Sequence, residues 1–185
     1  MTKKEIEKNY KKLLDQKLNL DLTRGQPSKE QLKLSEPMDQ ILKNKFNFDG
    51  EDLRNYGLIK GLDSTRKLGA ILLGINYKNV IANGTSSLNL TSMVIQALFF
   101  KGINGEAWKH YKKISFLCPV PGYDRHFSLL EMMGINMINV PLKGDGPDMD
   151  YAEKLVKKDK SIKGIICVPK HSNPTGETYS LKVLE

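Results

Sequence analysis

The chain has 185 residues, 39% of them hydrophobic, and a formal net charge of +8 from 29 basic and 21 acidic side chains. That length holds one domain with a real core and is too short for two large ones. No apolar run approaches the roughly 18 residues of a membrane span, and the charged stretch from Met1 to Tyr10 lacks the apolar centre of a secretory signal, so a soluble, cytoplasmic protein is expected.

The positive charge is spread along the chain. Its two densest groups are Lys3, Lys4, Lys8, Lys11 and Lys12, and Lys154, Lys157, Lys158 and Lys160. Both fall in predicted helices beside Glu and Asp and read as solvated faces; no nucleic-acid-binding motif accompanies them. Cys118 and Cys167 each close an apolar, strand-like run and read as reduced, buried small residues. The histidines at 110, 126 and 171 have no ligand spacing, so no metal site is expected.

In chain order, Ile6, Tyr10, Leu13, Leu14 and Leu18 recur at near-helical spacing and predict an amphipathic helix over 3–18. Asp21 to Ser28 contains Gly25 and Pro27 and reads as a loop. Residues 35–43 predict a short helix, and 44–61 a loop containing Asp49-Gly50 and Tyr56-Gly57. Residues 62–74 predict another helix, with Leu62, Leu68, Ile71 and Leu72 inward and Gly74 as its stop. Asn79 to Asn83 reads as a short strand. Gly84-Thr85-Ser86-Ser87 then opens a helix with Met93, Val94, Leu98 and Phe99 apolar. A strand, a glycine and hydroxyl residues at a helix start gather free N–H groups at a positive helix end, which suits a phosphate dianion. The same residues suit a plain helix cap. They match neither the Walker nor the dinucleotide glycine pattern.

Residues 101–112 read as a loop holding Trp108. Ile114 to Cys118 is the next strand, followed by a turn through Tyr123 and His126 and a helix through Leu129, Leu130 and Met133 to Gly134. Asn136 to Val140 is a third strand, Pro141 to Pro147 a turn, Asp150 to Lys158 a helix and Ile162 to Val168 a fourth strand. This alternation predicts a mainly parallel, right-handed α/β sheet. Such sheets bind ligands at the carboxyl ends of their strands. There the fourth strand empties into Lys170-His171-Ser172-Asn173-Pro174-Thr175-Gly176, ahead of a polar helix start near Tyr179. The Asn173 amide both donates and accepts. Pro174 keeps Asn173 out of the helical region and permits a cis peptide, and Gly176 permits a positive φ. These residues alone fit an ordinary strand-to-helix turn equally well.

Asn173-Pro174-Thr175-Gly176 resembles the Asn-Pro-x-Gly loop of class I, fold type I aminotransferases, which use pyridoxal 5′-phosphate (PLP). Thr23-Arg24-Gly25-Gln26-Pro27, Tyr56-Gly57 with Gly61 and Arg66, and Gly84-Thr85-Ser86-Ser87-Leu88-Asn89-Leu90 are similar to further segments of that family in the same order, the first and last of them to those of its aspartate-aminotransferase-like branch. The resemblance covers essentially the whole chain but only the front portion of the family's length. It implies an α/β fold, the large domain of a fold type I PLP-dependent transferase, with a mainly parallel sheet, flanking helices and later strands lacking. Residues 1–50 would be an N-terminal helix and active-site cover segment, and residues 51–185 the first part of the PLP-binding domain. By the same resemblance Gly84, Thr85, Ser86 and Ser87 cup the coenzyme phosphate, Tyr123 stacks on its ring and Asn173 bonds its phenolic oxygen. His126 stands where some relatives carry a histidine bonded to the acid that grips the pyridine nitrogen. Tyr56 reaches the phosphate of a neighbouring subunit in a homodimer, and Gly25 offers its N–H to the substrate carboxylate. The implied substrates are an amino acid, aspartate among them, and a 2-oxo acid, in amino acid biosynthesis and metabolism, with no nucleic acid or membrane partner. Another fold type I enzyme, a lyase or decarboxylase, shares these elements. A stand-alone α/β phosphate-binding module is the reading without an enzyme.

In that family the later half of the chain supplies the Schiff-base lysine, the acid at the pyridine nitrogen, a tyrosine and a carboxylate-binding arginine. No catalytic residue is therefore expected within this chain, and the Schiff-base lysine is expected beyond Glu185. Lys170 is set aside because the family's lysine lies well downstream, on a later strand. The expectation is a fragment of a chain about twice as long, or a truncated gene product, inactive alone. The run 79–83 should then stand apart from the other three strands, with later strands between them.

Overall fold

The computed structural model describes residues 1–19, 25–41, 43 and 45–185. The Asp21 to Arg24 part of the expected loop, with Thr23 and Arg24 of its motif, lies outside the described residues. The chain divides into two units, Met1–Leu58 with Leu62–Ser64, and Ile59–Gly61 with Thr65–Glu185.

In the first unit, helix α1 (Lys3–Asp15) starts with a capping box: Glu5 N–H donates to Thr2 Oγ1, and Thr2 N–H donates to the Glu5 carboxylate at 2.6 Å. None of its residues is buried. It stops short of Leu18, and Lys17 takes a positive φ of 46°. Helix α2 (Lys29–Lys33) escaped the sequence reading, although Ser28 and Gln31 form a second capping box. The helix expected over 35–43 shrinks to a 3-10 turn, Glu36–Met38, and Gln40 at φ 61° leaves helical space. The expected loop after it contains a small hairpin, β1 (Asn47–Phe48) and β2 (Glu51–Asp52), turned by Asp49-Gly50. Both turn residues have positive φ, as a type I′ hairpin turn requires.

Helix α3 (Asp63–Leu73) lies mostly in the second unit. Its packed face is Arg66, Gly69 and Ala70 rather than the expected leucines: Leu68, Ile71 and Leu72 are exposed. A Cβ on Gly69 would lie 3.1 Å from Val80 Cγ1, so the absent side chain admits Val80. Arg66 Nε donates to Val80 O at 2.9 Å and Nη2 to Tyr77 O at 3.3 Å. These contacts explain a second correction. Residues 79–83 are no strand: a 3-10 turn, Tyr77–Asn79, leads into an extended stretch. There Ala82 N–H bonds Lys60 O rather than a neighbouring strand.

Helix α4 (Ser87–Phe100) and a 3-10 turn at Trp108–His110 precede the sheet. Strand β3 (Ser115–Val120), helix α5 (Asp124–Met132), strand β4 (Asn136–Pro141), helix α6 (Met149–Lys158), strand β5 (Ile162–Ile165) and helix α7 (Leu181–Leu184) complete the unit. The sheet order is β4-β3-β5, with both pairings parallel. This is the expected parallel α/β sheet with flanking helices, in three strands, and among the described residues 79–83 does not pair with it. β5 ends at Ile165, earlier than expected, although Ile166 N–H still bonds Leu117 O at 3.1 Å.

Central β3 is buried from Ser115 to Pro119, which fits a strand covered on both faces. On one face Phe116 and Cys118 meet Ile95 of α4, Leu129 and Leu130 of α5, and Trp108, whose ring stands edge-on to Phe116 at 5.8 Å. On the other, Leu117 meets Val140 and Ala152. Met93 and Val94 point outward. Both cysteines are free thiols. Lys3–Glu7 and Lys157–Glu153 are exposed i,i+4 pairs, as solvated helix faces would have. Among the described residues no helix is long and apolar enough to cross a membrane.

Candidate functional site

Because β3, β4 and β5 run parallel, their carboxyl ends share one edge of the sheet. Three connections leave it: Pro121–Tyr123 into α5, the turn Leu142–Pro147 into α6, and the segment from Ile166 to Ser180 into α7. The Val120-Pro121 and Asn173-Pro174 peptides on this edge are both cis.

Tyr123 precedes α5 and is half-buried. Its ring meets the His126 ring edge-on, with centroids 5.1 Å apart, and His126 N–H donates to Tyr123 O at 3.1 Å. Burial holds His126 below the ordinary histidine value, which favours the neutral ring. Beneath them Phe127, Cys167, Ser172 and Tyr179 close a crevice of only about 10 Å³. That is room for one water at most. The edge therefore presents a packed floor, and any larger ligand must lie on its outer side. Burial, foremost, pushes the Tyr179 hydroxyl up to about 12 and also raises the Cys167 thiol.

Asn173 is exposed, on a loop whose base is buried at Ser172. Ser172 N–H donates to Glu177 O at 2.8 Å, and Gly176 N–H to Ser172 O at 2.5 Å. Gly176 takes a positive φ, 74°, which a glycine permits.

The Gly84–Ser87 segment opens α4. Gly84 turns the chain at φ 64°, a left-handed conformation that disfavours a side chain. Ser86 is the N-cap: its Oγ accepts Asn89 N–H at 3.3 Å and its carbonyl accepts Leu90 N–H at 3.1 Å. The cap reading is thus correct, and it leaves room for the other. The N–H groups of Ser87 and Leu88 have no acceptor among the described residues. They point from a helix end with an effective charge of roughly +0.5. Exposed Thr85 and Ser87 add hydroxyls beside them. This donor set, with no carboxylate in the segment, fits a phosphate.

Leu88 of α4, Phe127 of α5 and Ile166 after β5 pack on one core. The Gly84–Ser87 turn, Tyr123, His126 and the Asn173 loop thus belong to one packed body. Gly25 and Tyr56 belong to the first unit, where both are exposed, Tyr56 at 98%. The sequence reading missed Ser172, Glu177 and Tyr179, which shape the loop that carries Asn173. Their polar side chains offer no periodic signal; only the adjoining Asn-Pro-Thr-Gly turn marks the place. Among the described residues no cluster of His, Cys, Asp and Glu could hold a metal ion.

A family model described as aspartate amino-transferase matches residues 1–185. An aspartate aminotransferase of Corynebacterium glutamicum is 43% identical over 181 residues, 95% of this chain and 41% of that protein. A Mycolicibacterium smegmatis protein is 44% identical over 184 residues, 96% of this chain and 43% of that protein. The crystal structure of an aspartate transaminase from C. glutamicum superposes with a TM-score of 0.84 at 42% identity, covering 97% of this chain and 43% of that one. Thermus thermophilus LysN, an α-aminoadipate aminotransferase complexed with N-(5′-phosphopyridoxyl)-L-leucine, shares the fold at a TM-score of 0.61 and 22% identity, covering 86% of this chain and 37% of that one. The chain belongs to the aspartate aminotransferase family. It spans less than half the length of the curated relatives it matches.

Proposed function

We propose that this chain is the coenzyme-cradling part of a PLP-dependent aminotransferase that moves an amino group from an amino acid, aspartate among the donors, to a 2-oxo acid. The observation that carries the reading is the start of α4: a left-handed glycine, a serine cap, and N–H groups without acceptors among the described residues at a positive helix end. Bound PLP supplies an electron sink for bond breaking at the amino acid's α-carbon. The Thr85 and Ser87 hydroxyls and the Ser87 and Leu88 N–H groups hold its phosphate. Tyr123 lays its ring against the pyridine face. The Asn173 amide donates to the phenolic oxygen, and neutral His126 orients the group that holds the pyridine nitrogen. Gly25 N–H receives a substrate carboxylate, and Tyr56 serves the phosphate site of a second subunit. The same reading takes the working enzyme to be a cytoplasmic homodimer in amino acid biosynthesis. Its covalent anchor is not among the lysines of residues 1–185.

Titration of the purified chain with pyridoxamine 5′-phosphate, which needs no lysine to bind, tests this. Saturable binding that inorganic phosphate competes away is expected. Gly84→Val should weaken it about tenfold or more, since a β-branched residue in left-handed backbone costs on the order of 1–2 kcal/mol and displaces the turn. Binding that ignores both phosphate and the Gly84 substitution would contradict the reading.

A further inference from the structure

We infer that Glu177 is a positioning residue for the Asn173 amide, its carboxylate clamping the Asn-Pro-Thr-Gly loop onto the turn that follows β4. The inference rests on the coenzyme reading above for the role of Asn173, and on geometry alone for the clamp.

Glu177 closes the loop with its backbone and anchors it with its side chain. Its carbonyl accepts Ser172 N–H at 2.8 Å, and its own N–H donates to Thr175 Oγ1 at 3.3 Å. With the Gly176 N–H to Ser172 O bond, these make Ser172–Glu177 a closed loop with exposed Asn173 on it. The Asn173 amide has no side-chain hydrogen bond among the described residues, so the loop alone sets its place. From the loop's end, Glu177 Oε1 reaches out and accepts Gly146 N–H at 2.6 Å.

Gly146 is buried in the turn between β4 and α6. It sits at φ 132°, and a Cβ there would fall 2.7 Å from Val183 Cγ1 and 3.2 Å from the Tyr179 ring. The turn and the segment after the loop are thus in direct backbone-to-side-chain contact, which only glycine allows. The turn is itself fixed. Lys143 N–H donates to Gly146 O at 2.8 Å, Asp148 N–H to Pro141 O at 2.9 Å, and Lys143 pairs with Asp148 at 2.8 Å. Ser180 adds a parallel tie, its N–H to Asp145 O at 2.8 Å and its Oγ to Asp145 Oδ2 at 3.1 Å.

A buried N–H that loses its acceptor is costly, and a bond to a carboxylate is stronger than one to a neutral acceptor. Among the described residues, Glu177 is the loop side chain that bonds the loop to the turn after β4. The Ser180 tie holds the strap further on, beyond the closed loop. Without the Glu177 carboxylate the strap stays docked and the loop keeps its own backbone bonds and the Tyr179 N–H to Pro169 O bond at 2.8 Å at its base, but loses its tie to the turn after β4.

The test is amide hydrogen exchange by NMR on the full chain, unaltered and as Glu177→Ala, Glu177→Asp and Glu177→Gln, with pyridoxamine 5′-phosphate titrated into each. Glu177→Ala, and Glu177→Asp with its shorter reach, should speed exchange at Gly146, Ser172 and Gly176 about tenfold or more while the β3 amides keep their protection. Their affinity for pyridoxamine 5′-phosphate should fall about three- to tenfold. Glu177→Gln keeps an acceptor oxygen and should restore both. Unchanged exchange at Ser172 and Gly176 in Glu177→Ala and Glu177→Asp overturns the clamp. A loosened loop with undiminished affinity, or a Glu177→Gln variant no better than Glu177→Ala, overturns the positioning role. Failure of the unaltered chain to bind at all defeats the coenzyme reading and the Asn173 role with it, while the exchange data still judge the clamp separately.

Discussion

His126 shows how one side chain's surroundings become a property of the whole chain. It sits against Tyr123 at the rim of a packed crevice, and burial lowers its proton affinity below the ordinary histidine value of 6.5. The exposed Asp124 and Arg125 beside it pair with each other at 3.9 Å. The unfolded chain therefore takes up a proton at a higher pH than the folded one. This contribution to stability is complete above the ordinary histidine value and is lost as pH falls through the depressed folded value. The urea midpoint should fall between about pH 8 and about pH 5.5 by more in the unaltered chain than in His126→Gln. Equal losses in the two would show that His126 is not the group responsible. Other side chains were less legible than their types suggested. Ser86 fits the cap and phosphate readings alike, because a helix's first turn has several N–H groups without intrahelical partners, of which the cap takes only that of Asn89. Glu177 was invisible because its partner, Gly146, lies far away in sequence and offers only a backbone N–H.

Among the elements, β3, β4 and α6 follow the sequence pattern to within a residue or two, while α5 begins earlier than expected, at Asp124 within the expected turn. Their apolar periods are strong, and Gly134 and the Pro141–Pro147 turn punctuate them. What failed was what periodicity does not encode. The run 79–83 has a strand's composition, but a strand needs a ladder partner, and here its neighbours are Lys60 and Arg66. α3 turned a different face inward because Gly69 and Ala70 let Val80 approach more closely than the leucines would. Small residues at a contact carry no hydrophobic signal. The Asp49-Gly50 hairpin was readable in principle, since that dipeptide is a strong hairpin signal, but its strands are only two residues each. The packing between α5 and β3 gives a direct check. Leu130 is fully buried in the core that carries the Tyr123 and Asn173 connections. Leu130→Ala should cost about 2–5 kcal/mol, read from the urea midpoint of Trp108 fluorescence, since Trp108 lies in the same core. A loss below about 1 kcal/mol would mean that the core collapses around the cavity.

Over the whole molecule, the parallel sheet does two things at once. It buries β3 on both faces, and it delivers three connections to one edge. The coenzyme reading depends on the second. The other side of β5 is open: Met149, Val156 and Ile165 are exposed along an apolar cleft of about 430 Å³. The family resemblance was legible because the motifs occur in the right order along the chain, although of these only the Asn173 loop leaves the parallel sheet. Reaction and substrate were not legible in a chain that spans less than half the length of its curated relatives. The most direct measurement is an NMR map of amide shifts as pyridoxamine 5′-phosphate is added to the isotope-labelled chain. The account predicts that Gly84–Leu88, Tyr123 and Asn173 move together along one saturation curve. Shifts confined to other surfaces, or separate curves for the three segments, would contradict it.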